Sequence, residues 1–252
     1  MKERYRLTIA YDGTNYSGWQ IQPNAPSIQE QLQNALEVLL HHKCTVIAAG
    51  RTDAGVHAKA QVAHFDSSES IDPLKFLKSL NGILPIDIRV KTFDKVRPDF
   101  HARFCAKGKI YHYYFTTNVV SDPFRRLYSL HLKGSFDKKR FEEAKKYLIG
   151  THDFRSFANE AYAGSAAKNP VRTISRIDLI EEEEGFYRIE FEGKSFLYKM
   201  VRNITGTLLE VAQGKRLPQE VEQILLAKDR RKAARAVAAK GLFMWKIFYD
   251  ES

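Results

Sequence analysis

Cysteine is scarce in this 252-residue chain: there are two, Cys44 and Cys105, far apart and in no CxxC spacing. No disulfide framework or cysteine-built zinc site is expected, and a reducing compartment, the cytoplasm, is the natural setting. No apolar run reaches membrane length. Met1-Lys2-Glu3-Arg4-Tyr5 leads straight into a strand pattern, so no signal peptide is expected. A glycine-rich phosphate loop is missing too, and no spacing suits a metal. His41 and His42 are adjacent, and adjacent helical residues do not share a face, so they read as a solvated helix end. Negative charge is the minority: 30 Asp and Glu stand against 40 Lys and Arg, a net charge of +10 with a pI near 9.5. That excess points to a polyanionic partner, of which nucleic acid is the commonest. The 44% hydrophobic and 28% charged fractions are ordinary for a soluble globular protein, long enough for one large or two small domains.

The pattern repeats itself. Tyr5, Leu7, Ile9 and Tyr11 alternate on one face, as a strand does. Ser27 and Glu30 form a capping box, and Ile28, Leu32, Ala35, Leu36 and Leu39 follow at helical spacing. Strands are expected near 44–49 and 60–66. Asp72-Pro73 should open a helix to about Leu80, and a strand should follow over 86–96. The order β-α-β-β-α-β is ferredoxin-like. A second half repeats it: a strand over 109–116, a helix capped by Asp137 and stopped by Gly150, and strands near 171–181 and 186–193. A helix over 195–213, a shorter one from Pro218 and a strand near 242–250 complete it. The expected fold is α+β, two ferredoxin-like halves (1–104 and 105–252) joined into an extended, mainly antiparallel sheet with a central cleft.

The most informative segment is Gly50-Arg-Thr-Asp-Ala-Gly-Val-His-Ala58. Gly50 and Gly55 permit a tight backbone path, and Thr52 and Asp53 suit a loop. From the residues alone there are two readings. Asp53 is a nucleophile or base presented beside a fixed positive charge, or the loop is a hairpin turn whose Arg51 and Asp53 form a solvated pair.

This nonapeptide resembles the signature loop of the tRNA pseudouridine synthases of the TruA family. Tyr11-Asp12-Gly13-Thr14 and Ser17-Gly18-Trp19-Gln20 resemble the family's opening. Leu84-Pro85, Asp87-Ile88 and Phe100-His101-Ala102-Arg103-Phe104 resemble its middle. Ser195 to Asn203 (SFLYKMVRN) resembles its late motif, and Gly241-Leu242-Phe243 its end. The blocks lie in order along nearly the whole chain.

The resemblance implies isomerisation of uridine to pseudouridine at positions 38, 39 and 40 of the tRNA anticodon stem-loop, without cofactor or metal, by a homodimer. It makes Asp53 the catalytic nucleophile or base on a flipped uridine. Arg202 would be the cation that pairs with it, and a surface or phosphate-binding arginine is the plainer reading. Tyr111 would offer a flat surface to the uracil, where a core tyrosine is the plainer reading. Arg51 would enter the vacated helix position or hold a phosphate, and His57 would hydrogen-bond the loop.

Arg125, Arg126, Lys138, Lys139, Arg140, Lys228, Arg230, Arg231, Lys232 and Arg235 are candidate phosphate contacts, or simply solvated faces. Lys109-Ile110 stand where many relatives carry two basic residues, and Phe243-Met244 departs from the usual pair with packing consequences only. Residues 157–170, rich in small residues, read as a flexible loop. Two rival functions remain at this stage: a non-catalytic RNA-binding module using Tyr111, Tyr113 and Phe115, and an aspartate-dependent hydrolase.

Overall fold

The computed structural model describes residues 2–159 and 169–250, so most of the expected 157–170 loop lies outside the described residues. The chain forms two compact units. One comprises the chain up to Lys107 with the stretch from Phe243 onward; the other is Gly108–Leu242.

In the first unit β1 (Glu3–Tyr11), α1 (Ile28–Leu40), β2 (Ile47–Ala48), β3 (His57–Ser67), α2 (Pro73–Ile83) and β4 (Ile88–Val96) follow in the ferredoxin-like order. β1 is central, antiparallel to β3 on one side and β4 on the other, and β2 pairs with β3. The alternation seen in the sequence is the pleat: Tyr5, Leu7 and Ile9 are fully buried, with Leu32 and Leu36 of α1 in the same core. Both helices start where side chains satisfy orphan amides. Ser27 Oγ accepts from Glu30 N at 3.3 Å, and Asp72 Oδ1 accepts from Leu74 N and Lys75 N. His41 closes α1 in the left-handed region (φ 55°) and is solvated, as expected.

The second unit holds β5 (Gly108–Thr116), β6 (Leu130–His131), α3 (Lys138–Lys145), β7 (Gly150–Asp153), β8 (Val171–Glu183), β9 (Phe186–Gly193), α4 (Met200–Ala212) and α5 (Glu220–Ala227). Its strands run β5-β9-β8-β7, antiparallel throughout, with β6 parallel to β5. One face is apolar: Tyr113, Phe115, Ile189 and Phe191 are fully buried, and Phe136 joins Phe115 to Phe141 of α3. The other face is ionic. Arg176 bonds Asp178, Glu190 (2.9 Å) and Glu192 (3.1 Å), and Glu190 lies 3.2 Å from the buried His112.

Several expectations shift. β6 and β7 are additional short strands. The helix expected from residue 195 begins at Met200, because Leu197 to Met200 makes a turn and Lys199 is left-handed (φ 57°). The last strand, β10 (Leu242–Phe248), follows the second half in sequence. It runs parallel to β3 with Phe243 opposite His57, and from Phe243 onward it belongs to the first unit.

A buried histidine ties the end of β3 to the turn after β4. His64 Nδ1 accepts from Ala102 N at 3.2 Å, which requires a neutral ring. Burial, with the His101 and Arg4 charges beside it, pushes His64 down to about 4. As pH falls through 6.5 the unfolded chain takes up this proton, and the folded chain does so only near 4. Stability therefore drops across that window, by roughly 3 kcal/mol from this residue. Urea unfolding at pH 6.5 and 4.5 should show the loss. In His64→Asn, which keeps an acceptor, the loss should be smaller; equal losses in both proteins would exclude His64 as the source.

Candidate active site

The 50–58 segment connects β2 to β3 and is held from several directions. Thr52 is buried; its Oγ1 shares a 2.8 Å hydrogen bond with Tyr11 Oη, and its carbonyl accepts from Trp19 N at 3.1 Å. Gly50 O accepts from the buried Gln61 Nε2 at 2.8 Å. Val56 N donates to Asp53 O at 3.1 Å, and Gly55, at φ 73°, donates to Tyr16 O. A tight turn results, with Asp53 half-buried at its tip and Arg51 exposed beside it. All but the side-chain bond between Thr52 and Tyr11 satisfy a backbone group that the turn would otherwise strand, so the carboxylate sits on a pre-ordered loop.

Two glycines outside the nonapeptide let the chain pass this close. A Cβ on Gly13 would stand 2.1 Å from Val56 O, and one on Gly18 (φ 93°) 2.5 Å from Thr52 O. His57, expected to hydrogen-bond the loop, instead ties its end to the 12–13 segment. It is 1% exposed, stacks on Phe243 at 4.5 Å, and its Nδ1 lies 3.1 Å from both Gly13 N and Asp12 Oδ1. That one nitrogen accepts from Gly13 when unprotonated, or donates to Asp12 when protonated. Phe243 thus packs directly on the signature segment. The sequence names these residues in its opening and closing blocks, but nothing in their spacing says that they clamp the Asp53 loop.

The other two candidates lie in the second unit. Tyr111, on β5, is 8% exposed and meets the Phe196 ring edge-on at 5.2 Å (82°). Arg202 is half-buried in the first turn of α4, its Nε donating to Val237 O at 2.9 Å. The backbone of 234–237 is laid along α4. Val237 N donates to Arg202 O and Ala234 N to Thr207 Oγ1, while a Cβ on Gly206 would lie 2.3 Å from Arg235 O. A helix glycine costs stability, and here it permits the close approach that aims the arginine. The structure therefore groups Arg51 with Asp53 on one loop, and Tyr111 with Arg202 in one unit.

The basic residues divide. Lys139, Lys228, Lys232 and Arg235 are exposed. Arg125 is engaged by Asp122 and Glu183 and lies over the Phe186 ring at 4.0 Å; Lys138 pairs with Glu181, and Arg231 with Asp229. Arg230 departs from the sequence reading as a phosphate grip. Its guanidinium turns inward to Asn203 Oδ1 (2.7 Å), Asn159 Oδ1 (3.3 Å) and Ala233 O (3.2 Å). Asn203, fully buried beside Arg202, needs these partners, and that need outweighs exposure of the charge. Lys109 is buried. Among the described residues no group of three or more His, Cys, Asp or Glu could hold a metal ion, and no helix is long and apolar enough to cross a membrane.

A family model described as tRNA pseudouridine synthase matches residues 7–105 and 144–250. The chain is 56% identical over 247 residues to tRNA pseudouridine synthase A 1 of Protochlamydia amoebophila (strain UWE25), covering 98% of this chain and 96% of that protein. It is 43% identical to tRNA pseudouridine synthase A of Exiguobacterium sibiricum, with 99% and 98% covered, and 42% identical to that of Listeria monocytogenes serovar 1/2a, with 98% and 99% covered.

Proposed function

The chain belongs to the tRNA pseudouridine synthase family, and we propose that it isomerises uridine to pseudouridine in the anticodon stem-loop of tRNA, at positions 38, 39 and 40. The supporting observation is the Asp53 loop: a half-buried carboxylate on a turn bonded to Tyr16, Trp19 and Gln61 through its backbone and to Tyr11 through the Thr52 side chain. In the proposed reaction the target uridine is flipped out of the stem. The N1–C1′ bond breaks, the uracil turns, and C5 bonds to C1′; C5 loses a proton and N1 gains one. Atoms and electrons balance within the nucleotide, so the reaction requires no cofactor or metal. Asp53 acts at the sugar, by attack on C1′ or by removal of the 2′ proton. Arg202 supplies the positive charge that pairs with the carboxylate, Tyr111 packs against the uracil, and Arg51 steadies the RNA beside it. The enzyme acts in the cytoplasm as a homodimer.

The defining test is incubation with tRNA tritiated at uracil C5: tritium should pass to solvent in buffer containing chelator and no added cofactor. No release from any tRNA substrate would remove the proposal. Binding should also respond to salt. About six phosphate contacts give a slope of log affinity on log salt of about −4 to −5, measurable by filter binding from 50 to 200 mM salt. A flat response would remove the basic surface as the RNA grip.

A further inference from the structure

The turn between β4 and β5 carries an aromatic ring that packing does not account for. Phe104 is 76% exposed, yet it is rigidly presented. His101 Nδ1 accepts from both Arg103 N (3.1 Å) and Phe104 N (3.3 Å), and His101 N donates to Cys105 Sγ at 3.2 Å. His64 accepts from Ala102 N, so each amide from His101 to Phe104 is fixed by a side chain. The rings form a ladder. His64 meets His101 at 4.8 Å, and His101 meets Phe104 at 4.3 Å with 34° between planes. It starts in the core and ends at Phe104 in solvent. Arg103 completes the outer end, its guanidinium 5.8 Å from the Phe104 ring centre. Nearby Arg97 and Lys107 are held by Asp99 and Asp250, whereas Arg103 is turned to the ring.

We propose that Phe104 is a stacking platform for an unpaired base of the RNA substrate, at a point remote from the reacting uridine. The inference rests on the tRNA-modifying role proposed above. An exposed ring beside a guanidinium, on a chain of net charge +10, has the composition of a single-stranded nucleic-acid contact: the ring takes the base face and the cation the adjoining phosphate. The turn is ordered in advance, so little conformational entropy is lost on binding. Its location sets which nucleotide it meets. His64 and His57 are seven residues apart on β3, about 23 Å at the rise of a strand, so the ladder lies far along the sheet from the Asp53 loop.

The test compares full-length wild-type protein with Phe104→Ala, Phe104→Leu, Phe104→Trp and Arg103→Gln. Affinity for unmodified tRNA, kcat for tritium release at saturating tRNA, and molecular mass by sedimentation are measured for each. Phe104→Ala and Phe104→Leu should weaken tRNA binding about tenfold, and Phe104→Trp should restore it to within about twofold, since stacking needs a ring rather than mere apolar area. The salt slope should stay unchanged in the Phe104 variants and lose about one unit in magnitude in Arg103→Gln. kcat and mass should not move. Binding by Phe104→Ala within twofold of wild type would overturn the proposal. So would full rescue by Phe104→Leu, or a fall in mass in Phe104→Ala that explains its affinity, which would make the ring a contact between copies of this chain. If wild-type protein released no tritium while Phe104→Ala still lost tRNA affinity, the catalytic reading would fail and the stacking platform would stand.

Discussion

Asp53→Asn is expected to abolish tritium release from C5-labelled tRNA, a loss of at least about 10³-fold, with tRNA affinity changed only a few-fold. Asparagine has nearly the shape of aspartate and fits the same turn, where Asp53 contributes its carbonyl to Val56 N. What it lacks is the negative charge and lone-pair basicity needed at the sugar. Single-turnover assays with excess enzyme separate this loss from binding. Release from Asp53→Asn within tenfold of wild type would take Asp53 out of the chemistry. On the proposed pairing of Arg202 with Asp53, Arg202→Met should lose most activity as well.

Gly18→Ala is expected to have the next largest effect, although residue 18 takes no part in the reaction. Its φ of 93° disfavours any side chain, and the new Cβ would lie 2.5 Å from Thr52 O and 3.0 Å from Asp53 C. Both neighbours are backbone, so no flexible group can swing aside, and the Asp53 loop itself must shift. Unfolding free energy in urea should fall by about 2–4 kcal/mol. The kcat should fall by about 10²-fold, since displacement of a reacting group by about 1 Å costs that much. Wild-type stability and kcat in this variant would mean that the 13–20 segment does not position the loop.

Much of this protein was legible before any coordinates. Strand alternation at Tyr5, Leu7, Ile9 and Tyr11, the caps at Ser27, Asp72 and Asp137, and the apolar spacing of α1 are local signals, and local hydrogen bonding and burial honour them. The order of elements in the first unit followed. Less legible was whatever depends on a single backbone angle or a distant partner. Lys199 in the left-handed region delays α4 by five residues against the expected start at 195, and no residue preference announces it. The two-residue β6 and four-residue β7 are too short to show a period. Arg230 reads as one more cation in a basic run; only the buried amide of Asn203 explains why it turns inward.

The amino-acid sequence alone carried the family, through ordered blocks of residues that resemble it, while a charge of +10 favoured a polyanionic partner. Charge and motif are properties of composition and neighbours, which the chain carries whatever its shape. Tertiary structure decided which residues clamp that loop, which cations face solvent, where β10 pairs, and that a ladder of rings ends in the open at Phe104. The loop clamp depends on groups such as Gly13 and His57, 44 residues apart, meeting at 3.1 Å, and is set by what buried polar atoms need once the core has closed.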